Sequence, residues 1–327
     1  MRTIHSPDEA ARILAEGGLV ALPTETVYGL GARADQPHAV AKVFAAKGRP
    51  ADHPVIVHLA SSMAMAAWAE DISTYARVLA EAFWPGPMTL VLARSAKAGD
   101  YITGGQDTVG LRVPEHPQFR ATLAALQELT GDDAIGIAAP SANRFGRVSP
   151  TKMQHVLDEF NDVLDDTAAV LEGGAANVGV ESTIIDCTKE APVILRSGAI
   201  TSVDIERVTG CRVEAHSAVR APGTLASHYA PRARVIIATE HAEHDACRRE
   251  LSESRSVGLL ALAAIPTPTG VVRLAAPIDA ANYAAALYAA LREADALELD
   301  TIVAVPPTGE TGLEPAILDR LTRAAHQ

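Results

Sequence analysis

Apolar and polar positions along the first two hundred residues switch repeatedly between two periods. Short apolar runs at 19–22, 55–59, 89–93, 109–113, 135–139, 169–171, 183–187 and 192–195 have the length and composition of strands. Between them, apolar residues spaced three and four apart predict helices at 37–46, 74–83, 117–126 and 151–158. An earlier helix is announced by Ser6-Pro7-Asp8-Glu9, an N-cap, a first-turn proline and a capping-box glutamate, and should end at Gly17-Gly18. Trp84-Pro85-Gly86-Pro87 stops another. This alternation predicts a large α/β sheet domain with its functional loops at strand ends. Residues 212–233 carry no sustained period and read as an interdomain linker. From residue 234 the pattern restarts, with strands at 235–238, 257–261, 271–274 and 301–305 and helices at 242–251, 279–297 and 312–325. Such units predict a smaller Rossmann-like three-layer domain over 234–327.

Composition narrows the function classes. The 327 residues are 48% hydrophobic and 21% charged, ordinary for a globular enzyme. The longest apolar runs are too short to cross a bilayer, and Met1-Arg2-Thr3-Ile4-His5 opens no secretory apolar core, so a cytoplasmic location is expected. Cys187, Cys211 and Cys247 form no CxxC pair, and the 11 histidines no HExxH. A net charge of −12 argues against sequence-blind nucleic-acid binding and leaves room only for a local basic pocket.

Neither GxxxxGK[ST] nor GxGxxG is present. Six segments carry chemistry-bearing residues instead. Pro23-Thr24-Glu25-Thr26-Val27-Tyr28-Gly29-Leu30-Gly31 gathers hydroxyls, a carboxylate and two glycines in a loop, either a seat for a small polar ligand or a plain strand-to-helix connection. Lys47-Gly48-Arg49-Pro50 places cations at a helix end, where they complement its dipole or grip phosphate; His53 follows, and His58 alternates with Ile56 in a strand, where by itself it reads as a satisfied, partly buried histidine rather than a ligand. Thr108, Gly110 and Arg112 share one strand face, an open polar surface or a solvated edge. Ala139-Pro140-Ser141-Ala142-Asn143 leads to Arg144, Arg147 and Ser149-Pro150-Thr151, the last of which could also cap a helix. Val180-Glu181-Ser182-Thr183-Ile184-Ile185-Asp186 and Leu195-Arg196-Ser197-Gly198-Ala199-Ile200 complete the set.

In that order the segments resemble the threonylcarbamoyl-AMP synthase family, with its YrdC-like domain, over roughly residues 1–205. Pro222-Gly223-Thr224-Leu225-Ala226-Ser227-His228-Tyr229-Ala230-Pro231 resembles the linker of the family's long form, which carries a second, Rossmann-like domain. Departures are His53, where Asn is frequent, Val55 for Leu and Thr224 for Met. The resemblance implies a large twisted mixed sheet with flanking helices over 1–211, a linker over 212–233 acting as a lid with Tyr229 folding over the pocket, and the Rossmann-like domain beyond. It implies formation of threonylcarbamoyl-AMP and pyrophosphate from L-threonine, bicarbonate and ATP, for threonylcarbamoyl-adenosine on tRNA. Thr26, His58, Arg112, Ala139 and Ser182 would surround threonine. Arg49, His53, Thr108, Ser141, Asn143, Ser149, Arg196 and Tyr229 would hold ATP, and Lys47, Arg49 and Arg112 would be catalytic. Mg²⁺ would accompany ATP without a protein cage, other proteins would perform the transfer to tRNA, and tRNA contact with this chain would be weak at most. Two other readings share such a sheet: an RNA-binding module without catalysis, and a carbamoyl-transfer maturation factor. The second should carry an acylphosphatase-like segment and zinc-finger cysteines upstream.

Overall fold

The computed structural model describes all residues except 215–216, 224–228, 310–311 and 327. Two compact units result. One comprises Met1–Phe145, Pro150–Ala176 and Glu181–Thr224; the other comprises Gly146–Ser149, Asn177–Val180 and Leu225–Gln327. The expected linker over 212–233 is thus divided, its stretch up to Thr224 belonging to the first unit. His228 and the 224–227 part of the linker motif lie outside the described residues.

The first unit is built on an eleven-stranded mixed sheet. Its strands are β1 (Arg2–Ile4), β2 (Val20–Leu22), β3 (Gly29–Arg33), β4 (Ile56–Leu59), β5 (Ala69–Glu70), β6 (Met88–Arg94), β7 (Thr108–Arg112), β8 (Gly136–Ala138), β9 (Ala169–Leu171), β10 (Thr183–Asp186) and β11 (Val193–Arg196). The order is β1-β9-β2-β3-β8-β4-β7-β6-β10-β11, with β5 beside β6. Alternate residues feed opposite faces. Leu19 and Ala21 join one apolar core with Tyr28, Val57 and Leu111, whereas Val20 and Leu22 join another with Phe119, Ile135 and Ile137.

Local signals explain most helix ends. Ser6 accepts a hydrogen bond from the Glu9 amide at the start of Pro7–Ala15, and Gly48, at φ 60°, closes Pro37–Lys47 in the left-handed conformation. The helix expected at 151–158 runs instead over Met153–Phe160, because Lys152, the N-cap, stays extended and offers no side-chain bond. The loop expected at Gly29-Leu30-Gly31 is strand β3. A side chain at Gly31 would sit 2.9 Å from Ile137 Cγ2 and 3.1 Å from Leu22 Cδ1, so glycine here permits close strand approach rather than a turn.

The second unit holds four parallel strands, β12 (Arg234–Ile237), β13 (Val257–Leu260), β14 (Val272–Ala275) and β15 (Thr301–Ala304), in the order β12-β15-β13-β14. The helix Glu243–Ser252 packs on β15 and β13, Ala280–Ala296 on β14 and β13, and Glu314–Ala325 on β12.

Candidate functional site

Strand register gathers much of the predicted chemistry on one face of the first unit. Ile56 pairs with Gly110 and His58 with Arg112 across β4 and β7, Val91 with Gly110 across β6 and β7, and Ile184 with Thr89 across β10 and β6. Paired residues point the same way, so Thr108, Gly110 and Arg112 share their face with His58, Thr89, Val91 and Ile184. The small side chains of β7 leave a narrow cleft there, lined by Pro54, Ile56, Thr89, Thr108, Gly110 and Ile184 and closed over by Arg220, Ala221 and Pro222.

Arg112 anchors one end. Its guanidinium is nearly dry, with the side chain 5% exposed. Nη2 donates to Glu25 Oε1 at 2.5 Å and to Thr26 Oγ1 at 3.0 Å, and Nε to the Gly86 carbonyl at 3.3 Å. Glu25 Oε2 accepts from the Glu115 amide at 3.1 Å. Burial alone would raise the Glu25 pKa, but the charge and hydrogen bond of Arg112 bring it below the ordinary carboxylate value. Thr24 ties the loop, its hydroxyl donating to the Val27 carbonyl at 2.6 Å and lying 2.8 Å from Thr26 Oγ1. His58 is buried against Phe119, ring centroids 5.1 Å apart, and its Nδ1 has no hydrogen-bond partner. Burial, reinforced by the Arg112 charge, pushes its pKa down to about 3, so it is neutral at pH 7. Ala139, buried, donates its amide to the Ile56 carbonyl at 3.1 Å.

Ser182 and Arg196 form a second cluster. Arg196 donates to the Ser182 carbonyl from Nε at 3.1 Å and Nη2 at 2.9 Å, and to Ser182 Oγ at 3.1 Å. Ser182 Oγ lies 2.7 Å from Thr89 Oγ1, linking the cluster to the cleft floor.

Lys47 and Arg49 make a third. Lys47 Nζ donates to the Ser141 carbonyl at 2.5 Å and to the Asn143 carbonyl. Burial first, then the neighbouring Arg49 charge, drives the Lys47 pKa well below its ordinary value. In this geometry Lys47, expected beside phosphate, fastens the Ser141–Asn143 loop. Arg49 donates to the Pro54 carbonyl at 2.9 Å and lies over the Phe145 ring, against which His53 packs edge-on at 5.3 Å.

Two predicted nucleotide residues belong to the second unit. The Ser149 carbonyl is within 3.5 Å of Arg292 Nε. Tyr229, at φ 63°, is buried beside Tyr288 with Arg320 5.3 Å from its ring.

Within the linker expected to act as a lid, residues 217–222 form a strap across the cleft. Ala221 packs on Ile56, Val91 and Ile184, the apolar floor of the cleft. Gln106 reads the strap backbone twice, accepting from the Arg220 amide at 2.8 Å and donating to its carbonyl at 3.1 Å. Arg220 donates to the carbonyls of Asp52 and Gly104, Ser217 to Asp186 Oδ2, and Arg196 to the Pro222 carbonyl at 2.9 Å. No periodicity marks these residues. Thr89 was equally silent, one hydroxyl in an apolar strand.

Comparison with known proteins gives a consistent picture. A family model described as "Telomere recombination" matches residues 12–198, and one described as "Threonylcarbamoyl-AMP synthase, C-terminal domain" matches 200–326. The threonylcarbamoyl-AMP synthase of Pyrococcus abyssi is 40% identical, over 97% of this chain and 93% of its own length. That of Bacillus subtilis is 37% identical, over 97% and 92%. The crystal structure of P. abyssi Sua5 complexed with L-threonine superposes with a TM-score of 0.86 at 38% identity, covering 98% of this chain and 94% of that one.

Proposed function

This chain belongs to the threonylcarbamoyl-AMP synthase family, and from that premise we propose that it joins L-threonine, bicarbonate and ATP into threonylcarbamoyl-AMP, pyrophosphate and water. The product serves threonylcarbamoyl-adenosine formation on tRNA, with other proteins performing the transfer. The observation that carries the reading is that His58, Arg112, Thr89 and Thr108 share one sheet face, with Ser182 hydrogen-bonded to Thr89.

The chemistry needs alignment more than a protein nucleophile. The amine of threonine and bicarbonate-derived carbon dioxide form a carbamate. A carbamate oxygen attacks the α-phosphorus, and the bond to the β-phosphate oxygen breaks to release pyrophosphate. Arg112 meets the threonine carboxylate. Thr26, His58, Ala139 and Ser182 shape the rest of that half, and neutral His58 adds no charge to it. Arg49, His53, Thr108, Ser141, Asn143 and Arg196 hold ATP. Lys47 keeps the Ser141–Asn143 loop in place for it. Magnesium travels with the nucleotide. Glu25 is already engaged by Arg112 and Glu115, so phosphate oxygens and water suit the ion better than this carboxylate.

The 217–222 strap lifts from the cleft floor to admit ligand and closes again as a lid over the bound adenylate, excluding water from it. No helix among the described residues is long and apolar enough to cross a membrane, and we place the reaction in the cytoplasm. The test is to incubate the protein with ATP, Mg²⁺, bicarbonate and single amino acids and to follow pyrophosphate. Release that depends on threonine is expected. Release indifferent to the amino acid would overturn the proposal.

A further inference from the structure

Glu25 has no place in the chemistry above, yet it is among the most buried carboxylates of the first unit, 3% exposed. Both its oxygens are committed, one to Arg112 at 2.5 Å and the other to the Glu115 amide at 3.1 Å. A dry carboxylate on the cation expected to receive a substrate carboxylate looks like a handicap, since like charges repel strongly where water is excluded. The balance of the whole pocket resolves the difficulty. Around the threonine half stand Arg112 with one positive charge, Glu25 with one negative charge, His58 without charge, and the hydroxyls of Thr24, Thr26, Thr89 and Ser182. Their formal sum is zero, and Arg196, which donates to Ser182 Oγ, and the buried Glu181 next to Ser182 add one charge of each sign.

We infer that Glu25 is a specificity-determining residue, which cancels the Arg112 charge so that the pocket admits a net-neutral amino acid zwitterion and rejects carboxylates that lack the amine. The inference rests on the proposed function and deepens it. A zwitterion enters a neutral, desolvated pocket without leaving a net charge there. A simple carboxylate would leave one unit uncompensated, a penalty that works as discrimination. An unpaired Arg112 would do the reverse and favour the anion. Glu25 acts through Arg112 and is not a catalytic residue. Its hydrogen bond also holds Nη2, leaving the guanidinium one orientation in which to meet a ligand.

The test uses 3-hydroxybutyrate, which is threonine without its amine, as a competitor in threonine-dependent pyrophosphate release. In the wild type its inhibition constant should exceed the threonine KM by about tenfold or more, the scale of one desolvated charge contact. Glu25→Gln keeps the shape and an acceptor for Arg112 but removes the charge, and should shrink that ratio by about tenfold. Glu25→Asp keeps the charge and should retain the wild-type ratio. A ratio unchanged within twofold in Glu25→Gln overturns the inference, because a purely structural role would alter stability and turnover without changing which ligand is preferred. Should Glu25→Gln fail to fold, calorimetry on the wild type decides. Threonine should bind more tightly than both 3-hydroxybutyrate and 1-aminopropan-2-ol, and a deaminated acid that binds as tightly as threonine overturns the charge rule. A wild type without threonine-dependent release would instead strike at the proposed activity, so the two failures are distinguishable.

Discussion

A buried cation in this protein is defined by what it holds. Lys47 carries two backbone carbonyls of the Ser141–Asn143 loop from a buried position. Lys47→Met should therefore orphan both, at about 1–3 kcal/mol each. Urea unfolding should show a loss of roughly 2–5 kcal/mol, together with weaker ATP binding. Arg112→Ala should lower threonine-dependent pyrophosphate release by about thirtyfold or more, from a typical loss of about 2–5 kcal/mol for truncating one partner of a buried charge pair. Normal turnover in that variant would take Arg112 out of the site. His58 brings a pH dependence. Its folded pKa, about 3, lies below the usual 6.5, so between these values the unfolded chain binds the extra proton. Stability should fall as pH drops from 6.5, by up to about 1.4 kcal/mol per unit. Glu25, whose folded pKa lies below 4.5, adds its own loss only under that value. Comparing melts of the wild type and His58→Gln between pH 7 and 5 isolates the histidine, and parallel curves would refute the assignment. The strand faces of Arg112 and His58 were legible in the sequence, because side chains alternate along a strand. Glu25 as the partner of Arg112 was not, since 87 residues separate them and only the sheet order brings them together.

Among the elements, the short apolar runs read as strands with errors of a residue or two, because burial on both faces leaves a continuous hydrophobic signature. β3 escaped because a glycine pair in sequence signals a turn and a tight sheet alike. The linker was expected to act as a lid, but the seat of its strap was unreadable for a different reason. It has no internal hydrogen-bond period and takes its shape from Gln106, Arg196 and the apolar floor. Its hold should be correspondingly easy to loosen. Gln106→Ala removes two hydrogen bonds, worth about 1–2 kcal/mol together, or roughly a five- to thirtyfold shift toward the lifted strap. The variant should release more free AMP for each threonine consumed, as water reaches the adenylate. Unaltered coupling in a stable Gln106→Ala protein would remove the strap from the cycle.

On the scale of the whole chain, the excess of acid over base separates a local grip on a triphosphate from a broad grip on RNA. At −12, the surface should repel a polyanion, and only the pocket cations should attract phosphate. Filter binding at about 0.15 M salt should detect no sequence-blind retention of RNA. Salt-dependent RNA affinity without threonine-dependent turnover would favour a binding module instead. The two-unit plan was legible from the restart of the strand-helix pattern at β12. The passage of 146–149 and 177–180 into the second unit was not, because it follows from contacts that no local pattern encodes. Ala221 on Ile56, Val91 and Ile184 has a thermodynamic consequence for every measurement on the protein. A ligand that uses this floor competes with Ala221 for it, so its apparent dissociation constant is the intrinsic one divided by the fraction of molecules in which the floor is bare. A population bare one time in a hundred would make a micromolar site behave as a site of about 0.1 mM.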